Sequence, residues 1–587
     1  MERAFSSLAR WLRPHLNWEV GLYALLILIA LAMRLWALDA RALHHDESLH
    51  AIYSWYLAIG QGYEHNPMMH GPFQFFGTAL NFLIFGDSDF TARLLPALFG
   101  SALVALPYFL RRQLGRWGAL AVAILLAFSP MLLYYSRFTR NDIYSVFWSL
   151  LLVICMWRYF GERKARYLYI GAAALGLSFC TKEVSYITVG IFLLFLLIVA
   201  ARELLTRVRR GLDLRELSAP GDYLILIGTL SLPLFSAFIQ LIPGVELPGG
   251  FHWAKLLTLV LLFSISVAIG LRWNWRRWLV CALLFYGIYI LFYTSFFTNV
   301  SGFVSGIWGS IDYWVEQHGV ERGGQPPYYY LVLLPIYEFL PLAFASIGAI
   351  YYTIRGNLFS RFLVYWAVLS LILYSFSGER MPWLSLHIAL PVILLGGMFI
   401  GRLFQAFDWE GARAWMVRGA TVLAVLLLFS FSMHVACQES YQMSDEPPQM
   451  LLYAGVSYDV PRIMAQIEEL AEEGEEGNEM RITVDSPLTW AWYWYLRDYK
   501  NVDYPDLGAI DRPPAGTVLL LDAGHESAAQ PYLDKYGEGQ RFRYLIWFPE
   551  EYRDFDLGWW WGYLLHRETE GPYWSREGIA YFPPGAP

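Results

Sequence analysis

What most constrains this chain is the recurrence of uninterrupted apolar runs about twenty residues long, the length an α-helix needs to cross a bilayer core. The first runs from Val20 to Leu38, and similar runs recur until about residue 436. By the twenty-residue criterion they make roughly thirteen spans. Composition agrees: 57% of the 587 residues are hydrophobic and only 16% are charged, against about 25% charged in a soluble domain. The chain is therefore expected to be a polytopic α-helical membrane protein with some soluble mass attached. That mass follows Cys437 and is acidic, in a chain of net charge -7, which argues against nucleic acid as a partner. Cys155, Cys180 and Cys281 fall inside apolar runs and Cys437 ends the last one, with no disulfide framework or zinc spacing.

Basic residues set the expected sidedness. Arg3, Arg10 and Arg13 precede a first run that is too long for a signal peptide and lacks a small-residue cleavage site, so it reads as a retained span. After it, every second loop is rich in Arg and Lys: Arg111, Arg112 and Arg116, then Arg163, Lys164 and Arg166, then Arg202 to Arg210. Those loops and the N-terminus are placed in the cytoplasm of a multi-pass plasma-membrane protein. The last span delivers residues 438–587 to the outside. Between the first two spans, Leu49, Ile52, Tyr53, Tyr56 and Leu57 recur at helical spacing, which predicts an amphipathic helix over 47–58 lying on the bilayer. His65 to Pro72 reads as a turn, and Phe73 to Phe85 as a second helix too short to cross. Were it to cross, every later basic loop would change sides, so residues 47–86 are expected to form perched helices.

The first outer loop opens with His44-His45-Asp46-Glu47-Ser48-Leu49-His50. Adjacent acids among histidines suit deprotonation of a hydroxyl or capture of a divalent cation. The competing reading is that Asp46 merely caps the helix that follows. Other outer turns present Arg137, Arg140 and Asp142, then Lys182 and Glu183, then Glu379 and Arg380. Any one of these is accounted for by snorkelling or pairing with a neighbour. Four turns on one face favour a shared site, with carboxylates to abstract a proton and cations for a phosphate. A lipid-linked phosphate would explain a site at the membrane surface. Glu338, between Pro335 and Pro341, either serves function or satisfies backbone freed by the prolines. Residues 299–326, with Gly302, Gly306 and Gly309 among Trp308, Tyr313 and Trp314, are expected to form a mobile lid.

Residues 438–587 read as a small α/β domain. Val456 to Glu473 carries Val460, Ile463, Ile467 and Leu470 along one helix face. Met480 to Val484 and Gly516 to Leu521 read as buried strands, and Trp490 to Tyr499 as an aromatic helix or strand. Asp485 and Asp522 follow strands, a common position for ligand contacts. Trp559-Trp560-Trp561 would stack on a sugar or on the bilayer surface, the surface being favoured.

Taken together, Asp46-Glu47, the run Phe85-Gly-Asp-Ser-Asp-Phe-Thr-Ala-Arg-Leu94, Phe128-Ser-Pro, Ser136 to Asp142, and Gly176 to Glu183 resemble the GT-C membrane glycosyltransferases. Protein O-mannosyltransferases and the lipid A aminoarabinose transferase are the nearest types. The turn Ser377-Gly-Glu-Arg-Met-Pro-Trp-Leu384 and His387 are closer to the flippase-activity-associated subgroup of archaea and bacteria. The resemblance covers about the first 440 residues: a GT-C-like transmembrane domain over 1–437, followed by an extracytoplasmic domain over 438–587. It implies an inverting hexosyltransferase that moves a sugar from a polyprenyl-phosphate donor to an extracytoplasmic protein, lipid or glycan. Asp46 would be the base, with Glu47 assisting it or binding a metal. Arg137, Arg140, Lys182 and Arg380 would neutralise the donor phosphate, supported by His45, His70, Asp142, Glu183 and Glu379. Some members bind a divalent cation, for which His44, His45 or His70 would serve; whether one is needed stays open. The rival reading is a transporter or flippase component that moves a lipid-linked glycan without making a bond. No paired broken helices mark corresponding halves, which weakens it.

Overall fold

The computed structural model describes residues 18–209, 214–242, 251–318, 324–406, 412–442, 449–474, 476–509, 514–548, 550–553, 556–569 and 574–585. Arg3, Arg10, Arg13 and Arg210 lie outside them. Among the described residues, nine helices are long and apolar enough to cross a membrane. They become ten when Tyr329–Tyr337 and Phe339–Arg355, bent by 110°, count as one span. The 41-residue helix Trp253–Tyr293 leaves helical geometry at Asn274 and so holds two of the expected crossings. Two others are shorter than expected: Arg116–Phe128, continued past Ser129 by Pro130–Tyr135, and Arg166–Phe179. At the first of these breaks Ser129 caps the new helix (Leu132 N–H donates at 3.1 Å) and proline takes its first position, where no N–H is needed. Residues 382–401 are buried throughout at the centre of the bundle, whereas Trp18–Leu35 lies at its rim.

The two short helices expected between the first spans are His45–Ala58 and Phe73–Phe85, joined through a 3-10 turn at Pro67–Met69. The cap of the first is His44, not Asp46. The His44 imidazole accepts the Asp46 N–H at 3.0 Å, and Glu47 returns to the His44 N–H at 3.0 Å. Glu47 is sealed off from solvent. Arg93 binds both its oxygens, at 2.8 and 2.7 Å, and the Thr139 N–H adds a third bond at 2.7 Å. Arg93 also donates to the carbonyls of Leu38, Arg41 and Ala42. One buried, fully bonded pair thereby ties the end of the first span to the perched helices and to the helix Asp89–Leu103. Gly71 lets the following turn press against the next outer loop: a Cβ there would fall 2.2 Å from the Cys180 carbonyl oxygen.

The C-terminal region forms a six-stranded mixed sheet in the order β1-β5-β6-β4-β2-β3. Its strands are β1 (Gly455–Val456), β2 (Arg481–Val484), β3 (Asn501–Asp503), β4 (Val518–Asp522), β5 (Gln540–Trp547) and β6 (Trp574–Tyr581). β2 runs parallel to β3 and β4, and the other pairings are antiparallel. The helix Asp459–Glu473 buries Val460, Ile463 and Ile467 against it. The aromatic segment is the helix Thr489–Tyr495, and it docks on the perch. Trp494 and Tyr495 both donate to Asp89, at 2.7 and 3.1 Å, Arg497 binds Asp87 at 2.7 Å, and Trp494 stacks on Phe82. A second joint pairs Arg567 with Glu439 at 3.3 Å, out of solvent. Beside it Trp559 stacks on buried Tyr563, while Trp561 is exposed.

Candidate active site

A cavity of about 380 Å3 lies where the perched helices, the bundle and the sheet meet; His45, Asp46, His50, His70, Arg140 and Glu379 are among the residues that line it. Asp46 follows from the helix start. With His44 as cap, the Asp46 side chain is not needed by the backbone, and it is 26% exposed. Its partner is Arg140, which donates to its carboxylate. The Arg140 guanidinium lies over the Trp383 ring, 3.6 Å from the centroid, and reaches Asp142 at 3.5 Å. Asp142 starts the helix Asp142–Glu162, where an acid suits the helix dipole. It receives Lys182 Nζ at 2.8 and 2.9 Å, and His387 Nε2 stands 3.3 Å away. Asp46, Arg140, Asp142 and Lys182 therefore form one chain of alternating charge leading away from the cavity.

Burial favours protonation of Asp46, but the Arg140 guanidinium outweighs it and holds the acid well below the usual carboxylate range. Burial likewise keeps His50 neutral, down to about 3, and lowers the Lys182 ammonium against the pull of Asp142. His70 sits in the left-handed region at φ 67, an uncommon conformation for a non-glycine residue. Its Nδ1 lies 2.7 Å from Glu183, whose acidity that partner increases against the effect of burial. A second, small cavity of about 30 Å3 is lined by His70, Lys182, Glu183, Trp314 and Glu379 among others, so it shares His70 and Glu379 with the first.

Of the other expected site residues, Glu47, Arg137 and Arg380 lie outside the cavity lining. Glu47 is locked to Arg93. Arg137 caps the end of the first span, with one nitrogen donating to the carbonyls of Met33, Arg34 and Trp36 and the other to Ala37. Arg380 donates to the carbonyls of Gln325 and Ser377. His45 lines the cavity with its ring near Trp490. Glu338 sits at the bend between two helices and accepts from Ser129 and from the Met131 N–H at 3.3 Å, at the start of the helix Pro130–Tyr135 and not from backbone beside Pro335 and Pro341. In the expected lid, of which residues 319–323 lie outside the described residues, Tyr313 lines the main cavity and Trp308 is buried. Gly302 and Gly306 are needed for close packing: a Cβ on either would meet Tyr293 at 1.8 or 2.3 Å. Sequence reasoning missed Tyr453, Trp490 and Trp547 as cavity walls, and Trp383 as a platform for Arg140. Only Trp383 carried a signal, its place in the Ser377–Leu384 turn.

Among the described residues, no three His, Cys, Asp or Glu ligand atoms around Asp46 converge within 4.8 Å. The two ring nitrogens of His44 face the Asp46 N–H and the Tyr453 carbonyl, His70 faces Glu183, and Asp46 faces Arg140. Among the described residues, the group whose ligand atoms converge within 4.8 Å is Asp485, Asp506 and His525, in the C-terminal sheet region.

Residues 69–210 match the family model of the dolichyl-phosphate-mannose-protein mannosyltransferases. No curated protein matches the sequence. Among solved structures, the archaeal oligosaccharyltransferase AglB from Archaeoglobus fulgidus, in complex with an inhibitory peptide and a dolichol-phosphate, aligns over 93% of this chain and 75% of its own, with a TM-score of 0.54 at 14% identity. ArnT from Cupriavidus metallidurans in the apo state aligns over 90% of this chain and 98% of its own, with a TM-score of 0.52 at 16% identity. The same protein bound to undecaprenyl phosphate aligns over 95% and 98%, with a TM-score of 0.51 at 15% identity. The chain has the fold of the GT-C membrane glycosyltransferases, the fold implied by its sequence resemblance.

Proposed function

We propose that the protein transfers a sugar from a polyprenyl-phosphate donor to an acceptor hydroxyl on the outer face of the plasma membrane. Residues 1–437 would be the membrane-embedded transferase and 438–587 an extracytoplasmic domain that closes the site, with the N-terminus in the cytoplasm as the basic loops require. The observation that carries this reading is the partly exposed Asp46 carboxylate facing a cavity through a bond to Arg140, with Lys182 behind it. The acceptor O–H gives its proton to an Asp46 oxygen, and the acceptor oxygen bonds to the anomeric carbon as the bond from that carbon to the phosphate oxygen breaks. Configuration at that carbon is thereby inverted. The lipid phosphate leaves with its charge answered by Arg140 and Lys182. An arriving phosphate competes with Asp46 for Arg140, so donor binding releases the carboxylate and makes it a better base. Glu47, Arg137 and Arg380 position the elements that hold these groups.

The donor class is supported by the dolichol-phosphate of the AglB structure and the undecaprenyl phosphate of the ArnT structure. The grouping of charged side chains around one cavity favours an enzyme over a carrier of lipid-linked glycans. The test is to incubate the purified protein in nanodiscs with undecaprenyl- and dolichyl-phosphate hexoses and candidate acceptors. Sugar transfer with an inverted anomeric centre is expected; intact donor in every combination would overturn the reading.

A further inference from the structure

A third cavity, of about 790 Å3, adjoins the site through a wall it shares with the Asp46 cavity, Tyr453 and Trp547. The cavity around Lys182 meets Asp46 across a different wall, His70 and Glu379. A lipid phosphate drawn to Lys182 and Arg140 would therefore approach Asp46 from one direction and leave this larger cleft free. The cleft includes none of the charge chain and none of the Asp87, Asp89 or Glu439 joints described above.

Its walls combine two kinds of group. Trp547 and Trp574 stand directly opposite one another on β5 and β6, so their indoles share one face of the sheet, and Trp574 is 74% exposed. Tyr329, Phe548 and Tyr552 add further rings. The polar groups are planar and cross-braced. The Gln325 amide donates to Glu550 at 2.7 Å and accepts from the Tyr552 hydroxyl, while Arg553 pairs with Glu550 and donates to the Gly324 carbonyl at 2.9 Å. Indole faces receive the C–H face of a pyranose, and amide, carboxylate and guanidinium groups match pairs of neighbouring hydroxyls. Among the described residues that line it, Glu550 and Arg553 cancel in charge and no cluster of cations stands ready for an anionic headgroup or phosphate.

We infer that this cleft is the acceptor subsite and that it takes a neutral saccharide, an inference that rests on the transferase reading above. A saccharide seated on Trp547 and Trp574 would extend past Tyr453 to present one hydroxyl to Asp46. Binding of the remote sugar units would hold that hydroxyl in place.

The test is saturation-transfer NMR and calorimetry on the full-length protein in zwitterionic nanodiscs, without donor. The probes are neutral di- to tetrasaccharides of mannose, glucose and galactose, and Ser/Thr-containing peptides. At least one oligosaccharide is expected to bind. Loss of one stacking face in Trp574→Ala should weaken it about ten-fold, with Trp574→Phe in between and Glu550→Gln also weakened. Because Trp574 is exposed, its substitution should leave the melting temperature unchanged. No oligosaccharide binding, binding indifferent to all three variants, or peptides binding in place of saccharides would overturn the inference. Saccharide binding lost in the variants, in a wild type that leaves every lipid-phosphate sugar intact, would support the cleft and sink the transferase reading alone.

Discussion

Two arginine–carboxylate pairs stand on consecutive residues of one helical turn, and they do different things. Glu47 meets Arg93 through two bonds, accepts two further backbone N–H groups and has no exposed side-chain surface. Asp46 meets Arg140, is a quarter exposed, and its arginine is shared with Asp142 and a tryptophan face. Successive helix positions are about 100° apart around the axis, so one acid turns into the joint and its neighbour into the cavity. Both pairs set an arginine against a carboxylate. What separates a joint from a site is the number of bonds already made and the space left beside the carboxylate.

The largest expected effect tests the open pair. Asp46→Asn keeps size and polarity but removes the basic oxygen, and loss of a general base costs about a hundred- to ten-thousand-fold in rate. Single-turnover sugar transfer should fall by that much, while thermal unfolding stays near wild type, since His44 rather than Asp46 caps the helix, and donor binding is not weakened, since Asn no longer competes with the phosphate for Arg140. Wild-type turnover in this variant would break the comparison.

Its counterpart tests the sealed pair. Glu47→Gln leaves Arg93 buried without a countercharge, and breaking such a pair costs about 3–5 kcal/mol. The melting temperature and the yield of folded protein should drop. A variant that melts like wild type yet fails to transfer sugar would exchange the roles assigned to the two acids.

The comparison sharpens with the two arginines of the second outer turn. Arg140→Ala removes a charge-assisted contact to the donor phosphate, worth about 1.5–3 kcal/mol, so donor affinity should fall about ten- to a hundred-fold. Arg137 is turned away to the end of the first span, so Arg137→Ala should lower stability and leave donor affinity within about two-fold, under 0.5 kcal/mol. Equal losses of donor affinity in the two would place both at the phosphate.

Sequence spacing found that turn and could not separate its arginines, because both flank the same few residues and only the tertiary fold decides which faces the cavity. The membrane helices were legible because a span must be apolar around much of its surface, a signal that survives without an alignment. β2 and β4 were legible because they are buried and read as short apolar runs. β5 and β6 were not: Arg541, Arg543, Arg576 and Glu577 break their apolar pattern, and half of β6 is exposed. Asp46, Arg140, Asp142 and Lys182 were reached through the common sidedness of their turns. Tyr453 and Trp547, which wall the same cavity, come from chain some four hundred and five hundred residues beyond Asp46, and no local pattern ties them to it. Asp87 and Asp89 stood out only as part of a family motif, and their bonds to Arg497, Trp494 and Tyr495 show that they fasten the sheet region to the perch.

The smallest expected effect concerns the cap that keeps the two acids apart. His44 accepts the Asp46 N–H on Nδ1, so the neutral ring carries its proton on Nε2 and donates it to the Tyr453 carbonyl. Burial pulls this imidazole down to about 4, from about 6.5 in an unfolded chain. A histidine whose folded value is depressed contributes its full stability above pH 6.5, and loses it as pH falls from there toward 4. The loss reaches about 1.4 kcal/mol by pH 5.5. His50 and His65 are depressed in the same sense, to about 3 and about 4, so the wild type should weaken with acid through several groups. His44→Asn separates them, because asparagine caps a helix but does not titrate. The stability gap between wild type and variant, read from denaturant unfolding at pH 7.5 and pH 5.5, should shift by about 1.4 kcal/mol in favour of the variant at the lower pH. A gap that does not change with pH would mean that His44 is not held neutral at the head of this helix, and that something else orients Asp46 toward the cavity.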